Sequence, residues 1–520
     1  MSFQSTTIRA ALLRRREAGP WFSIAVTLVY ALIIVIGHAH HEMWRDEVSC
    51  WMLARDASGF WDLITGDRRY DGHPFLWYYV LHLMSRIVAH HAILHVATAS
   101  AAIISGFLWM RHAPLPRYAR VLLLGSYYMV FEYTIIARGY SLGLMLTYLF
   151  CAIYEPLRIR YLRLSAILVL LSATSLYGFV MACSLACFLF AHPFDISGRG
   201  PLYKALFRPR FGASWYLGVI ACIGGFLFTA ITTIPPKDAR FGQWNFAFDS
   251  NAALACLERY WRGMVPVLKS QMRYWGTNVF LDNGNAGMFT RNQILAFAGA
   301  LLFAWCVVMA RRPRLVLTYL MGVGMMLFFQ ISNYRGGIRH WGHFFVFLIA
   351  CLWLFAKLER KRRLPWVFHP LFTLQVGAQI VGGFVAYSND YRYPWSGALE
   401  AAQYLQNHGL DQQPIVGGRD VLVMAVTGML GPKTTFYSSE TNEIVSHPVY
   451  HNRYRNIGPA QLIASAWRLL NETNQDIVVI STFHLGQLGR PGMKVEFLHE
   501  TQPSTLPDEH YFIYRVKRDP

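Results

Sequence analysis

RRREAGPWFSIAVTLVYALIIVIGHAHHEMWRDE, residues 14–47, decides the fold. Three arginines precede an apolar run at 21–37, which then breaks into histidine, acid and tryptophan. About 20 apolar residues cross a bilayer, and no small-residue cleavage site follows this run, so 21–39 reads as a retained first helix rather than a removed signal peptide. Arginine before the run and acid after it put the N-terminus in the cytoplasm and the WRDE sequence on the outer face.

The same alternation continues through the chain. Of 520 residues, 54% are hydrophobic and only 15% charged, against about 25% charged in soluble domains. A soluble globular protein of this size is excluded. Apolar segments at 74–88, 92–110, 120–136, 140–155, 164–177, 179–192, 215–234, 292–310, 315–332, 341–356 and 367–387 follow the first. Short basic clusters separate them: Arg111, Arg117 and Arg120; Arg158, Arg160 and Arg163; Lys204, Arg208 and Arg210; Arg311, Arg312 and Arg314; and Lys357 with 360–363. Such clusters mark the cytoplasmic side, leaving loops 40–73 and 235–291, the turns near Arg138 and 333–340, and everything after 387 outside. Between His73 and Arg111 the parity asks for one crossing where two apolar segments occur, so one of them is expected to lie along the interface. About eleven to thirteen crossings follow, in a multi-pass protein of the cell (inner or plasma) membrane.

The basic excess is a topological signal. Residues 1–387 hold 37 Lys and Arg against 16 Asp and Glu, whereas 388–520 hold 11 against 13. A nucleic-acid partner is therefore not expected. Eight cysteines lie mostly in apolar runs without Cys-x-x-Cys spacing, so neither a disulfide framework nor a cysteine metal site is expected. From residue 388 helix-like stretches (396–406, 459–471) alternate with strand-like ones (414–417, 434–437, 476–481, 510–516), predicting a small α/β domain large enough to fold on its own. The fold class is thus an all-α polytopic membrane domain, 1–387, followed by a soluble extracytoplasmic α/β domain, 388–520.

Chemistry concentrates in the first outer loop, where seven carboxylates (Glu42, Asp46, Glu47, Asp56, Asp62, Asp67, Asp71) stand among tryptophans that favour the membrane interface. Two short amphipathic helices, 46–55 and 58–65, are expected there. The Asp46-Glu47 pair suits a general base for a hydroxyl or a ligand set for a divalent cation; a helix N-terminus, which favours acids, accounts for it equally well. His73, in Asp71-Gly72-His73-Pro74, can donate to a phosphate oxygen. Arg138 and Tyr140 follow Glu132 in FEYTIIARGYS, where an ionisable group in an apolar run needs a partner or a cavity. Arg335, Arg339, His340 and His343 stand among glycines at a helix start, a combination suited to phosphate. In loop 235–291, residues 254–273 read as an amphipathic interfacial helix whose Arg259, Arg262, Lys269 and Arg273 face solvent or anionic lipid.

The order of WRDE, then DGHPFLWYYVLH, ARGYS and IRHWGH resembles the integral-membrane glycosyltransferases of the C superfamily (GT-C), in particular the branch of protein O-mannosyltransferases and lipid A aminoarabinose transferases. The likeness covers residues 1 to about 390. It implies that Asp46, with Glu47 beside it, activates or positions the acceptor; that His73, Arg138 and Tyr140 line the catalytic cavity; and that Arg339, with His340, contacts the donor phosphate. Two departures stand out: a single proline follows His73, and no acid adjoins Arg138, which leaves open whether a divalent cation takes part.

The resemblance implies an enzyme that transfers a sugar, with inversion, from a polyprenyl-phosphate carrier to a protein, lipid or polysaccharide acceptor on the outer face. A transporter or flippase of lipid-linked saccharide would use the same basic groups, but such proteins are commonly built from repeats and none occurs here. A non-catalytic membrane scaffold is the third alternative.

Overall fold

The computed structural model describes residues 19–193, 211–240, 250–281, 288–332, 334–359, 363–452, 457–486 and 491–519. Arg14 to Arg16, the Lys204–Arg210 cluster and 360–362 lie outside them. In chain order the described helices are α1 (Pro20–His40), α2 (Arg45–Asp56), α3 (Phe60–Thr65), α4 (Leu76–Ser85), α5 (Ile93–His112), α6 (Arg117–Leu124), α7 (Tyr140–Ile153), α8 (Tyr161–Ser172) and α9 (Leu176–Phe190). Then come α10 (Ala213–Thr233), α11 (Ser250–Met264), α12 (Arg291–Met309), α13 (Pro313–Ser332), α14 (Ile338–Leu358) and α15 (Phe368–Arg392). Seven of these, α1, α5, α10, α12, α13, α14 and α15, are long and apolar enough to cross a membrane.

The expected crossings that fall short do so for visible reasons. Segment 74–88 forms only the ten-residue α4, which rises about 15 Å, so α5 is the one helix of crossing length between His73 and Arg111. Segment 120–136 is a broken helix: α6 ends at Leu124 and a single π-turn, Tyr128–Glu132, follows. Arg117 stands over the ring of Phe22 near the start of α1, 5.3 Å away, and the chain climbs from there to Arg138 with nearly every residue from 126 onward buried. Interrupted backbone is tolerated at membrane depth when protein surrounds it. Helices α7, α8 and α9, of 14, 12 and 15 residues, rise only about 18–22 Å.

Side-chain contacts sort the two ends of the bundle. Lys357 donates to the carbonyls of Ala152 and Tyr154, Arg312 pairs with Glu359 at 2.7 Å, and Arg314 meets His192. These basic groups therefore share one end, while the WRDE loop, Arg138 and Arg339 share the other.

The tail adds α16 (Ala398–Asn407), β1 (Ile415–Gly417), α17 (Asp420–Leu430), β2 (Phe436–Ser438), β3 (Ile444–Val445), α18 (Pro459–Thr473), β4 (Ile477–Ser481), β5 (Met493–Glu500) and β6 (Phe512–Arg518). The sheet order is β3-β2-β1-β4-β6-β5, with β2, β1 and β4 parallel. Strand alternation divides the core in two. Ile477, Val479, Phe512, Tyr514 and Val516 face α18 in a cluster belonging to the tail alone. Val478, Ile480 and Ile513 face α16 and α17, and that cluster continues without a break into Val48, Trp51 and Met52 of the first loop and Leu81 of α4. The tail is thus packed on α2, and α15 runs on to Arg392, past the expected boundary at 387. Gly428 of α17 permits the approach: a Cβ there would press on Val48 and stand 3.2 Å from Met52 Sδ.

Candidate functional site

Trp44 and Arg45 open the site. The Glu47 carboxylate accepts the Trp44 N–H at 3.1 Å, closing the first turn of α2, and it also accepts the Ala137 N–H and lies 3.4 Å from His41, whose other ring nitrogen meets Asp390 at 3.0 Å. Glu47 is fully buried in this network. Glu47, expected beside Asp46 in the chemistry, is placed in the core instead: its acceptor capacity goes to the backbone on either side of the site, and it fixes Ala137 and hence the neighbouring Arg138.

Asp46 points the other way. Its Oδ2 lies 2.8 Å from Arg339 Nη2 and its Oδ1 3.7 Å from Arg45 Nε, while Arg138 donates to its carbonyl. Burial pushes the Asp46 carboxyl up, but the guanidiniums of Arg339, Arg138 and Arg45 outweigh it and hold the group at about 2. Arg138 also reaches Cys50 Sγ at 2.8 Å and His73 Nε2 at 3.3 Å. The His73 Nδ1 proton goes to the Asp71 carbonyl at 2.8 Å, leaving Nε2 as the acceptor toward Arg138. Gly336, at φ +69°, turns the chain into α14. The Gly337 N–H then donates to His340 Nδ1 at 3.0 Å, so the Nε2 proton faces the Tyr140 hydroxyl at 3.4 Å.

These groups enclose a cavity of about 470 Å³ lined by Asp46, His73, Arg138, Tyr140, Arg339 and His340. Six of the eight candidate residues thus meet in one place. Glu47 and Arg335 are not among the lining residues; Arg335 is exposed in the loop before α14. Glu132 is also absent from the lining, being bonded to Tyr127 and to Trp275 Nε1 at 3.0 Å. The short rise of α7 and α9 sets Tyr140, Leu176 and Tyr177 as lining residues at their near ends.

Sequence reasoning passed over Asp71, which lines the cavity and accepts from the Tyr78 hydroxyl. It also missed Tyr70, Tyr177, Tyr334 and two tail residues, Val421 and Tyr450. DGH was legible as a loop end, but which acid of the seven faces the cavity depends on the 3₁₀ turn Asp67–Asp71. The interfacial helix expected over 254–273 ends at Met264, and Arg273 belongs to the irregular stretch beyond it.

A second cavity, of about 480 Å³, opens on the other side of the same ion pair. Trp44, Arg45, Asp46, Arg273, Trp275 and Arg339 line it together with Thr505 to Asp508 of the tail. Arg339 stands 5.2 Å from the Trp44 ring and 5.6 Å from the Trp275 ring, and Arg45 is held by Asp508 at 2.6 Å and by Glu509 at 3.2 Å. Asp46 and Arg339 therefore form a wall common to both cavities. Among the described residues no group of three or more His, Cys, Asp or Glu side chains is placed to hold a metal ion. Neither the family models nor the curated proteins compared with the chain match it.

Proposed function

We propose that the chain is a membrane glycosyltransferase that moves a sugar from a polyprenyl-phosphate carrier to an acceptor hydroxyl on the outer face of the cell membrane. One observation carries this reading: the Asp46 carboxylate, paired with Arg339 at 2.8 Å and with Arg45 at 3.7 Å, lines two cavities at once. The first cavity offers Arg138, Arg339, His73 and His340 to an anionic leaving group. The second offers a separate approach to the same acid.

The chemistry then balances locally. The acceptor oxygen attacks the anomeric carbon, the bond from that carbon to the phosphate oxygen breaks, polyprenyl phosphate leaves, and the hydroxyl proton passes to Asp46. Arg339, with Arg138 and Arg45, holds this acid at about 2, a poor base near neutrality. The donor's phosphodiester anion, competing for Arg339, weakens that hold and raises the basicity of Asp46, so carrier binding and base activation are the same event. A divalent cation is compatible with this scheme.

The test is transfer from a radiolabelled polyprenyl-phosphate sugar by the purified full-length chain. Transfer lost in Asp46→Asn is expected. Sugar movement across a vesicle membrane without bond cleavage would replace the enzyme by a flippase, and transfer unaffected in Asp46→Asn would remove the assignment of the base.

A further inference from the structure

Two of the residues lining the first cavity, Val421 and Tyr450, come from the tail rather than from the membrane helices. Residues 446–452 of the tail run back over the first loop and over the chain beyond α10, and nearly every residue of this strap is tied down. The Ser446 hydroxyl and His447 Nδ1 both reach Asp56 Oδ2, at 2.7 and 2.9 Å. The Arg240 N–H donates to the Tyr450 carbonyl at 2.7 Å, and the Asn452 N–H to the Asp238 carbonyl at 2.8 Å. Between these two bonds His451 forms an isolated β-bridge with Ala239, and its ring lies 4.2 Å from that of Tyr70. A side chain carried by a backbone fixed on both sides is itself placed, and the one that enters the cavity is Tyr450.

We infer that Tyr450, delivered by this strap, is the residue through which the tail contacts the saccharide of the lipid-linked donor. The inference rests on the glycosyltransferase reading and deepens it by assigning the sugar-facing side of the cavity. The cavity's guanidiniums lie with Asp46, where a phosphate goes. Tyr450 joins four other tyrosines in the lining, Tyr70, Tyr140, Tyr177 and Tyr334, and shares it with the carboxylates of Asp46 and Asp71. Flat ring faces beside carboxylates suit a pyranose, whose C–H face packs on an aromatic ring while its hydroxyls donate to acids. A bare phosphate would use neither.

The experiment compares two radiolabelled probes, polyprenyl phosphate and polyprenyl-phosphate hexose, binding to the detergent-solubilised full chain. The wild type is expected to prefer the sugar-bearing lipid. Tyr450→Ala should lower affinity for that lipid about tenfold and leave the sugar-free lipid within twofold. Tyr450→Phe, which keeps the ring and guards against misfolding, should fall between. If the wild type prefers the sugar and both variants keep the full preference, or lose affinity for both lipids equally, Tyr450 has no saccharide role and only this inference fails. If the wild type binds neither lipid, the glycosyltransferase reading fails and takes the inference with it.

Discussion

Arg339 Nη2 stands 2.8 Å from Asp46 Oδ2, joining the first turn of α14 to the first turn of α2. Each residue also lines both cavities. Asp46→Asn is expected to reduce transfer by roughly 10²–10⁴-fold, the usual contribution of a positioned general base, with carrier affinity far less affected. Arg339→Lys should weaken carrier binding, because a lysine keeps the charge but loses the planar fork and the stacking on Trp44. A transfer rate within threefold of wild type in Asp46→Asn would end the mechanism.

The same pair has a defined pH signature. Asp46 is held at about 2 in the fold, below the ordinary carboxylate value of about 3.9. Its pairing therefore stabilises the protein above the unfolded value and is lost only as pH falls through the folded one. The difference in unfolding temperature between wild type and Asp46→Asn should be the same at pH 5.5 and pH 8. A difference that changes sign over that range would mean Arg339 is not its partner.

Glu47 yields the opposite pattern. Its carboxylate holds Trp44, Ala137 and His41, so Glu47→Gln keeps one acceptor oxygen and strands part of that network. A loss of about 1–3 kcal/mol of stability is expected, seen as a lower unfolding temperature. Unchanged stability with abolished transfer would return Glu47 to the reacting groups.

His447 makes the docking of the tail depend on pH. Burial lowers its imidazole, but bonds to Asp56 and Asp67 outweigh this and raise it above its ordinary value. The stabilisation is fully present below the unfolded value and disappears as pH rises through the raised one. Amide exchange across 446–452 should accelerate above neutrality in wild type and become flat in His447→Gln. Exchange slowing with rising pH, after correction for intrinsic rates, would contradict the bridge.

Gly428 offers a test with a reversed sign. Replacing a mid-helix glycine by alanine ordinarily gains up to about 1 kcal/mol. Here the added methyl meets Val48 and Met52, so Gly428→Ala should destabilise by about 1–3 kcal/mol, the cost of overpacking, and expose the 393–397 connection to protease.

Much of this arrangement was legible in the residues. Arginine clusters and apolar runs gave the helical membrane class and the separation of the two ends, because charge and hydropathy act through composition alone. Asp46 was legible in an acid pair, His73 in DGHP, Arg138 and Tyr140 at an ionisable break in an apolar run, and Arg339 and His340 in a basic cluster at a helix start, and all six line one cavity. Glu47 misled because adjacency along a helix sends successive side chains about 100° apart, which decides between cavity and core yet leaves no mark in a dipeptide. The break at 125–132 was hidden since a π-turn in an apolar stretch has the hydropathy of a helix. Val421, Tyr450 and Asp508 were out of reach, for their roles come from the seat of the tail on Val48 and Met52, a contact between distant segments. The helix α17, as apolar as a core segment, was the available clue that the tail has a greasy face to cover.

That late segments finish the cavities has a consequence for biosynthesis. Tyr450 and the 505–508 loop leave the ribosome after the seven helices of crossing length among the described residues. A nascent chain still being threaded holds Asp46 and Arg339 without their cover, and the pair of chambers is complete only once these late segments have folded onto the first loop.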